Sequence, residues 1–460
     1  MNSKNKTIQL VFSSILCLFI ACKSPELAYK PRFEKNWNQV DSTIRKNWVN
    51  KSCKGSKLPN AFAYAFYCNT QFYWDTYFTQ LGLIKHNEIE LCKGGANNFI
   101  YLIDSLGFIP NANEPWGSNR SQPPYFSMMV KDLYATTQDK KWLESAYHAL
   151  LKEYAFWADP MNKIEDNHTS IIGLLRFYNH ASVAELLTMY DHELTKRFEF
   201  PAEKDTTKRI QIAQHFASEA ETGMDFTPRF EGRCGDFAAV DLNCLVYLME
   251  QNFAWIEKEL SISDGKIWTE LAISRKNLIN QYFWNEERGL YLDYDFVNKR
   301  HSKVASATTF SPLYAGIADK EKAQRVTENL KLFLGDYGVS TTEFSEQKIV
   351  YQWDHSSAWP PMQTITLIGL DNYGYKKEAL EVAMKYLDLV SKNFISPDPP
   401  TFKDDKGIQE RRKGEIYEKY LINGKLNDRE YKANYMYGWS AGTYAYFYDY
   451  YLKNKALFSK

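Results

Sequence analysis

Residues 242–260 read LNCLVYLMEQNFAWIEKEL, with apolar side chains at Leu245, Leu248, Met249 and Phe253. That spacing returns every three or four residues and draws one stripe along a helix. Residues 141–157 repeat the pattern through Trp142, Ala146, Leu150 and Tyr154, and similar periods run through 268–283, 321–334, 376–394 and 436–452. No regular run of alternating strands appears, which excludes a sandwich or an all-β barrel. One strand signal interrupts the helices at 284–295, where Gly289 turns the chain and Tyr291 to Asp295 alternates like a small hairpin. The joints are short and no Ser/Gly-rich linker divides the chain, so residues 23–460 read as a single all-α domain of paired helices. The longest irregular stretch starts at Ser396-Pro397-Asp398-Pro399-Pro400 and runs to about Tyr431. It is too long for a passive connector, and is a candidate lid or active-site loop.

The composition narrows the function. The 460 residues carry 56 basic and 56 acidic side chains, 44% are apolar, and the mean hydropathy is −0.49. Such a chain buries a sizeable core and is not disordered. Zero net charge argues against nucleic acid, whose phosphates call for a basic excess. The unusual feature is aromatic: 12 Trp, 32 Tyr and 28 Phe.

The first 22 residues read as an export signal. Lys4 and Lys6 precede a 14-residue, mostly apolar run at 8–21, too short to span a bilayer. Phe19-Ile20-Ala21-Cys22 resembles a bacterial lipobox, which predicts a lipid on Cys22, a periplasmic or cell-surface location, and no other contact with the membrane. Plain secretion is the alternative. Cys53, Cys68, Cys92, Cys234 and Cys244 follow. Export permits disulfides, an odd number leaves at least one thiol free, and their spacings fit no zinc pattern. Most are expected to pack as small hydrophobes.

Several chemistries are excluded. There is no HExxH, GxSxG, GxxxxGK[ST] or GxGxxG, and the eight histidines show no ligand-like spacing. What recurs is carboxylates among aromatics: Phe72-Tyr73-Trp74-Asp75-Thr76-Tyr77-Phe78; Glu221-Thr222-Gly223-Met224-Asp225-Phe226; Gln352-Trp353-Asp354 through Trp359; Glu418-Lys419-Tyr420; and Tyr437-Gly438-Trp439. Aromatic faces stack on sugar C–H surfaces, and paired carboxylates supply acid and base. Each segment alone reads equally as a core aromatic beside a helix cap; jointly they point to a carbohydrate site.

In order, these segments resemble the landmarks of the trehalases, glycoside hydrolase family 37. Tyr73-Trp74-Asp75-Thr76-Tyr77-Phe78 with Leu81-Gly82-Leu83 is similar to the second half of the first trehalase signature. Gly107-Phe108-Ile109-Pro110-Asn111-Ala112-Asn113 and Arg120-Ser121-Gln122-Pro123-Pro124 resemble G-x-I-P-N-G-N and R-S-Q-P-P. Gly223-Met224-Asp225-Phe226 stands for G-W-D-F, followed by Arg229, and Val240-Asp241-Leu242-Asn243 for V-D-L-N. Gln352-Trp353-Asp354 through Trp359 and Pro361 resembles the second signature, Glu418-Lys419-Tyr420 the E-K-Y, and Glu430-Tyr431 with Gly438-Trp439 the G-E-Y … G-W.

The resemblance implies an (α/α)6 barrel with its sugar site at one mouth, and hydrolysis with inversion of the anomeric centre. It makes Asp225 the general acid and Glu418 the general base, and puts Trp74, Asp75, Asn111, Arg120, Ser121, Gln122, Gly223, Arg229 and Glu430 at or near the sugars. Trp353 and Asp354 would support the pocket, although Asp354 reads equally as a helix cap. An acid–base pair of this kind needs no metal or other cofactor, and the partner implied is a small carbohydrate. The match fails in one place. The R-F-R-E that opens the first signature is Tyr67-Cys68-Asn69-Thr70 here, the Arg after N-G-N is Glu114, and the R-P-E before the acid is answered only by Arg197-Phe198-Glu199. Those arginines would serve chiefly the leaving sugar. The expectation is retained α-glycoside hydrolysis with trehalose as the first candidate. Another α-glucoside or α-mannoside, as in glycoside hydrolase family 63, is the second, and a non-catalytic carbohydrate-binding lipoprotein the third.

Overall fold

The computed structural model describes residues 29–457, apart from 55–56, 66, 159–167, 171, 199, 348, 405, 430 and 436. The export signal and Cys22, as well as Glu430 and Glu199, lie outside the described residues.

Six helices form a closed inner ring: α2 (Tyr73–Lys85), α4 (Phe126–Thr137), α9 (Val240–Glu259), α11 (Ser311–Tyr314), α13 (Pro360–Asn372) and α15 (Gly438–Asn454). Each packs on the next, and α15 returns to α2. The outer layer is α3 (Ile89–Leu106), α5 (Lys140–Ala158), α10 (Lys266–Tyr282), α12 (Lys320–Glu328), α14 (Lys376–Ile395) and α1 (Glu34–Asn47). The first five follow their inner partners in the chain, whereas α1 packs on α15 and α14 and joins the two ends of the fold. Asp388 of α14 fixes that joint, accepting hydrogen bonds from the Tyr29 hydroxyl (2.7 Å) and the Trp37 indole (3.0 Å). The architecture is the expected (α/α)6 barrel.

The ring closes where glycine lets two backbones touch. A Cβ on Gly82 of α2 would lie 2.5 Å from the Gly442 Cα of α15, and one on Gly442 would lie 2.2 Å from the Phe78 carbonyl. Any side chain at either position would force the first and last inner helices apart.

Between α5 and α9 the chain departs from the ring. α6 (Val183–Met189) runs through a π-helical turn, Tyr190–Leu194, into α7 (Thr195–Arg197), and α6 packs on α8 (Thr206–Glu221). Ser182 and Glu185 form a reciprocal capping box at the start of α6. Leu186, Tyr190, Leu194, Phe198, Phe216 and Phe226 make a separate small core here.

Strands are more numerous than expected. The 284–295 signal resolves into Trp284–Asn285 paired with Leu290–Tyr291, and Tyr294–Asp295 paired with Phe237–Ala238 and Arg300–His301. The stretch after residue 396 is partly ordered as a hairpin of Thr401–Asp404 with Gly407–Glu410. Cys53 and Cys68 form a disulfide, while Cys92, Cys234 and Cys244 are buried free thiols. Among the described residues, no helix is long and apolar enough to cross a membrane.

Candidate active site

The segments that enter the inner helices converge at one mouth of the ring. Trp74 and Asp75 occupy the first turn of α2, Arg120 and Gln122 precede α4, Trp353 and Trp359 precede α13, and Trp439 begins α15. Together with Asn111, Gly223, Asp225, Gln352, Glu418, Tyr431 and Tyr437 they line a cavity of about 210 Å³. Eight of the expected site residues are therefore brought together: Trp74, Asp75, Asn111, Arg120, Gln122, Gly223, Asp225 and Glu418.

Backbone contacts hold the walls in register. The Tyr73 amide donates to the Asn111 carbonyl (3.2 Å), the Asn111 amide to the Arg120 carbonyl (2.8 Å), and the Trp74 amide to Gln122 Oε1 (3.1 Å). Four indoles make the floor. Trp353 stacks on Trp359 at 4.1 Å between ring centroids, Trp439 meets Trp359 at 5.6 Å, Trp74 meets Trp353 at 5.7 Å, and Trp74 and Trp439 lie 6.0 Å apart. Gly223 has φ of +75°, and a Cβ there would enter the Trp74 ring at 2.5 Å, so only glycine admits this indole against the turn that carries Asp225. That turn is further tied by the Thr227 amide donating to Glu219 Oε1 (2.5 Å) and the Trp353 amide to the Phe226 carbonyl (3.0 Å).

Glu418 is held from every side. Its carboxylate accepts hydrogen bonds from the Tyr431 hydroxyl (2.8 Å), the Asn434 amide (3.2 Å) and Asn434 Nδ2 (2.9 Å). Its carbonyl accepts from the Trp439 indole (3.0 Å) and Ser440 Oγ (3.0 Å). The antiparallel pair Ser357–Ala358 with Tyr420–Leu421 joins the strand just after Glu418 to the loop of Trp353 and Trp359. Burial raises its pKa above the ordinary glutamate value; Lys419 and the three donors oppose that rise. Asp75 is pushed up to about 8 by burial, with the Glu418 and Asp225 charges adding to the shift and a Tyr437 hydrogen bond opposing it. Three carboxylates thus share the space. Arg120 lies close enough to Asp225 to feel its charge, although burial lowers the arginine's own pKa.

Three polar atoms on this lining, Arg120 Nε, Gln352 Oε1 and Trp353 Nε1, are buried without a hydrogen-bond partner among the described residues.

Two expected site residues stand behind the lining. Ser121 is buried, its hydroxyl donating to the Ile109 carbonyl (2.6 Å) and its amide to Glu221 Oε1 (2.9 Å). Arg229 is fully buried in a clamp: Nη1 and Nη2 reach Asp241 at 3.0 and 2.6 Å, and Nε and Nη2 reach Asp293 at 2.5 and 2.7 Å. Its donors are occupied by protein carboxylates, and it stands behind the cavity lining rather than on it. Asp354 is likewise no helix cap: Trp359 stands at that position of α13 with no side-chain bond, and Asp354 pairs bidentately with Arg429 at 2.7 and 3.0 Å.

Sequence reasoning missed the residues that serve Glu418 and brace the loops. Tyr431 enters the sequence reading only as the last residue of the G-E-Y match, with no role of its own, and Asn434, just past the long irregular stretch, carries no motif. Glu221 at the end of α8 accepts from Ser121, His168 (3.0 Å) and the Tyr178 amide (2.9 Å), binding three loops at the mouth. Where the R-F-R-E and N-G-N-R arginines are missing, Cys68 is bonded to Cys53, and Glu114 pairs with Lys57 and accepts from Thr70 (3.5 Å). Among the described residues, no group of three His, Cys, Asp or Glu is placed to hold a metal.

A family model described as Trehalase matches residues 68–452. The probable trehalase of Saccharomyces cerevisiae is 30% identical over 363 residues, 71% of this chain and 46% of that protein. The periplasmic trehalase of Xanthomonas campestris pv. campestris is 28% identical over 391 residues, 81% of this chain and 64% of that one. The structure of the neutral trehalase Nth1 from Saccharomyces cerevisiae superposes with a TM-score of 0.70 at 24% identity, covering 91% of this chain and 81% of that one. The chain spans about half the length of the first of these relatives. By the extent of the family match, spanning the whole ring from just before α2 into α15, the chain belongs to the trehalase family.

Proposed function

We propose that the protein is an inverting glycoside hydrolase acting on trehalose or a related α-linked glucoside, with Asp225 as general acid and Glu418 as general base. The observation that carries this reading is that both carboxylates line one small cavity over a floor of four indoles, a lining suited to a pyranose ring. In the reaction Asp225 gives its proton to the glycosidic oxygen, which departs as an alcohol. Glu418 takes a proton from water as the water oxygen bonds to the anomeric carbon from the opposite face. An inverting pair of this kind works with carboxyl groups roughly 6.5–9.5 Å apart, room for one water. The neutral donors Tyr431 and Asn434 suit Glu418 to the basic role, since they favour its ionised form. Trp74, Asp75, Asn111, Arg120, Gln122 and Gly223 then bind the glycone. The missing arginines favour a leaving group bound differently from the second glucose of trehalose.

The test is to incubate the mature protein with trehalose and a panel of α-linked disaccharides and follow release by NMR. The β-anomer of the released sugar should appear first. Early α-anomer would contradict inversion, and no release from any substrate would favour a carbohydrate-binding protein. The likeness to a periplasmic trehalase and the N-terminal signal support export, with a lipid on Cys22 as its anchor. Mass spectrometry of the mature N-terminus distinguishes a lipidated Cys22 from a secreted chain.

A further inference from the structure

A second cavity, of about 270 Å³, opens beside the first and shares Trp116, Arg120, Ala220 and Asp225 with it. Among the described residues, Glu418 lines only the first. In an inverting hydrolase the acid stands between the sugar and its leaving group, while the base works on the sugar's far face. The cavity with both carboxylates is then the glycone's, and the one with the acid alone receives the leaving group. This assignment rests on the hydrolase reading above.

The two cavities differ in chemistry. The first is walled by Asp75, Asn111, Gln122, Gln352, Tyr431 and Tyr437. The floor of the second is Leu186, Ala217, Ala220 and Phe226, all buried, with Met189 beside them. Much of its polar rim is already engaged. Asn119 Nδ2 donates to Glu185 Oε1 (3.1 Å), Arg120 Nη1 donates to Asn119 Oδ1 (2.9 Å) and the Trp116 carbonyl (3.1 Å), and Ser182 donates to Glu185 Oε2 through its amide and its hydroxyl, both at 2.7 Å. A second hexose would set hydroxyls against the apolar floor, where they lose their water without gaining partners. The rim also brings two exposed acids, Glu185 and Glu193, against one arginine.

We propose that this subsite takes an uncharged leaving group with an apolar face, an alkyl or aryl alcohol, in preference to a second glucose, and disfavours one bearing a carboxylate. The apolar face lies on Leu186, Met189 and Phe226, with the glycosidic oxygen at Asp225 and the exposed Trp116 closing over the rim.

The experiment measures kcat/KM of the mature protein for methyl, butyl and hexyl α-D-glucoside, whose leaving alcohols have similar acidity, beside trehalose and the α-glucoside of glycolate. The expected result is a rise of roughly fourfold per buried methylene, hexyl above trehalose, and the glycolate glucoside lowest. Leu186→Asn and Met189→Gln should each flatten the alkyl series. A flat series in the parent protein, or trehalose cleaved better than the hexyl glucoside, overturns the subsite proposal and leaves the hydrolase reading standing. Calorimetry with methyl and hexyl α-thioglucosides, which resist hydrolysis, separates the two ideas. Tighter binding of the hexyl compound supports the subsite even if no glucoside is cleaved, and equal binding overturns it.

Discussion

Asp241 and Asp293 form one acidic cluster at the mouth of the ring, Asp75, Asp225 and Glu418 another, and the protein treats them oppositely. The first pair is answered by Arg229, fully buried and bonded to both carboxylates through four contacts of 2.5–3.0 Å. In the second, Glu418 is held by hydrogen bonds from the neutral donors Tyr431 and Asn434, and the charge of Lys419 also favours its ionised form. Asp75 is pushed up to about 8 by burial and by its acidic neighbours. A carboxylate neutralised inside the protein organises loops; carboxylates left facing a cavity keep proton chemistry available. Sequence motifs hold both kinds in the same words.

The sharpest test of this contrast is to remove one member from each cluster. Asp225→Asn and Glu418→Gln should each lower kcat by about 10²–10⁴-fold, with circular dichroism and the thermal midpoint little changed. Arg229→Met should do the reverse. Losing the guanidinium leaves Asp241 and Asp293 buried and unpaired, a destabilisation of about 3–5 kcal/mol, read as a fall in denaturant midpoint. If Arg229→Met kept its stability but lost turnover, Arg229 would belong with the sugar site after all.

A smaller effect separates the clusters by pH. The pKa of Asp75 is raised in the folded state, so between the unfolded value near 4 and about 8 the native protein holds a proton that the unfolded chain has released. Stability contributed by this group is therefore present at low pH and lost as pH rises through that window. Asp75→Asn imitates the protonated acid and keeps an acceptor for Tyr437. Its thermal midpoint should match the parent's near pH 4 and exceed it by several degrees at pH 8. Equal midpoints at both pH values would mean that Asp75 is ionised in the fold without penalty.

Four of the outer helices were legible because one face of each meets water: α5, α10, α12 and α14 keep the apolar stripe that marks a helix. The inner ring was legible only in α9 and α15, read at 242–260 and 436–452. In α2 all of Tyr73–Leu83 except Thr76 is buried, and α13 is buried nearly throughout, so neither shows a period. The family resemblance supplied the barrel that periodicity alone could not. Pairing across Gly82 and Gly442 joins residues 360 positions apart, beyond any local signal. The 401–410 hairpin stayed hidden because its residues are exposed or half-buried and no apolar alternation announces it. At the site, the motifs located the lining, but whether an arginine faces the cavity or the core depends on partners such as Asp293, which the sequence shows only as part of the 284–295 hairpin.

The smallest expected effect is also the most specific to the cluster that faces the cavity. Tyr431 donates to Glu418 Oε1 at 2.8 Å and so favours the ionised carboxylate, opposing the burial that raises its pKa. Tyr431→Phe removes that donor while Asn434 still holds the other oxygen. The Glu418 pKa should therefore rise further, since one of the donors that favour the ionised form is gone. A base must be ionised to act, so activity is lost as pH falls through this pKa, and the acid limb of the kcat/KM profile should move to higher pH. On the plateau above the limb, Tyr431→Phe should retain most of the parent rate, because the carboxylate is ionised in both proteins there. A profile that drops uniformly without shifting would make Tyr431 a sugar contact and leave the ionisation of Glu418 to burial, Lys419 and Asn434 alone.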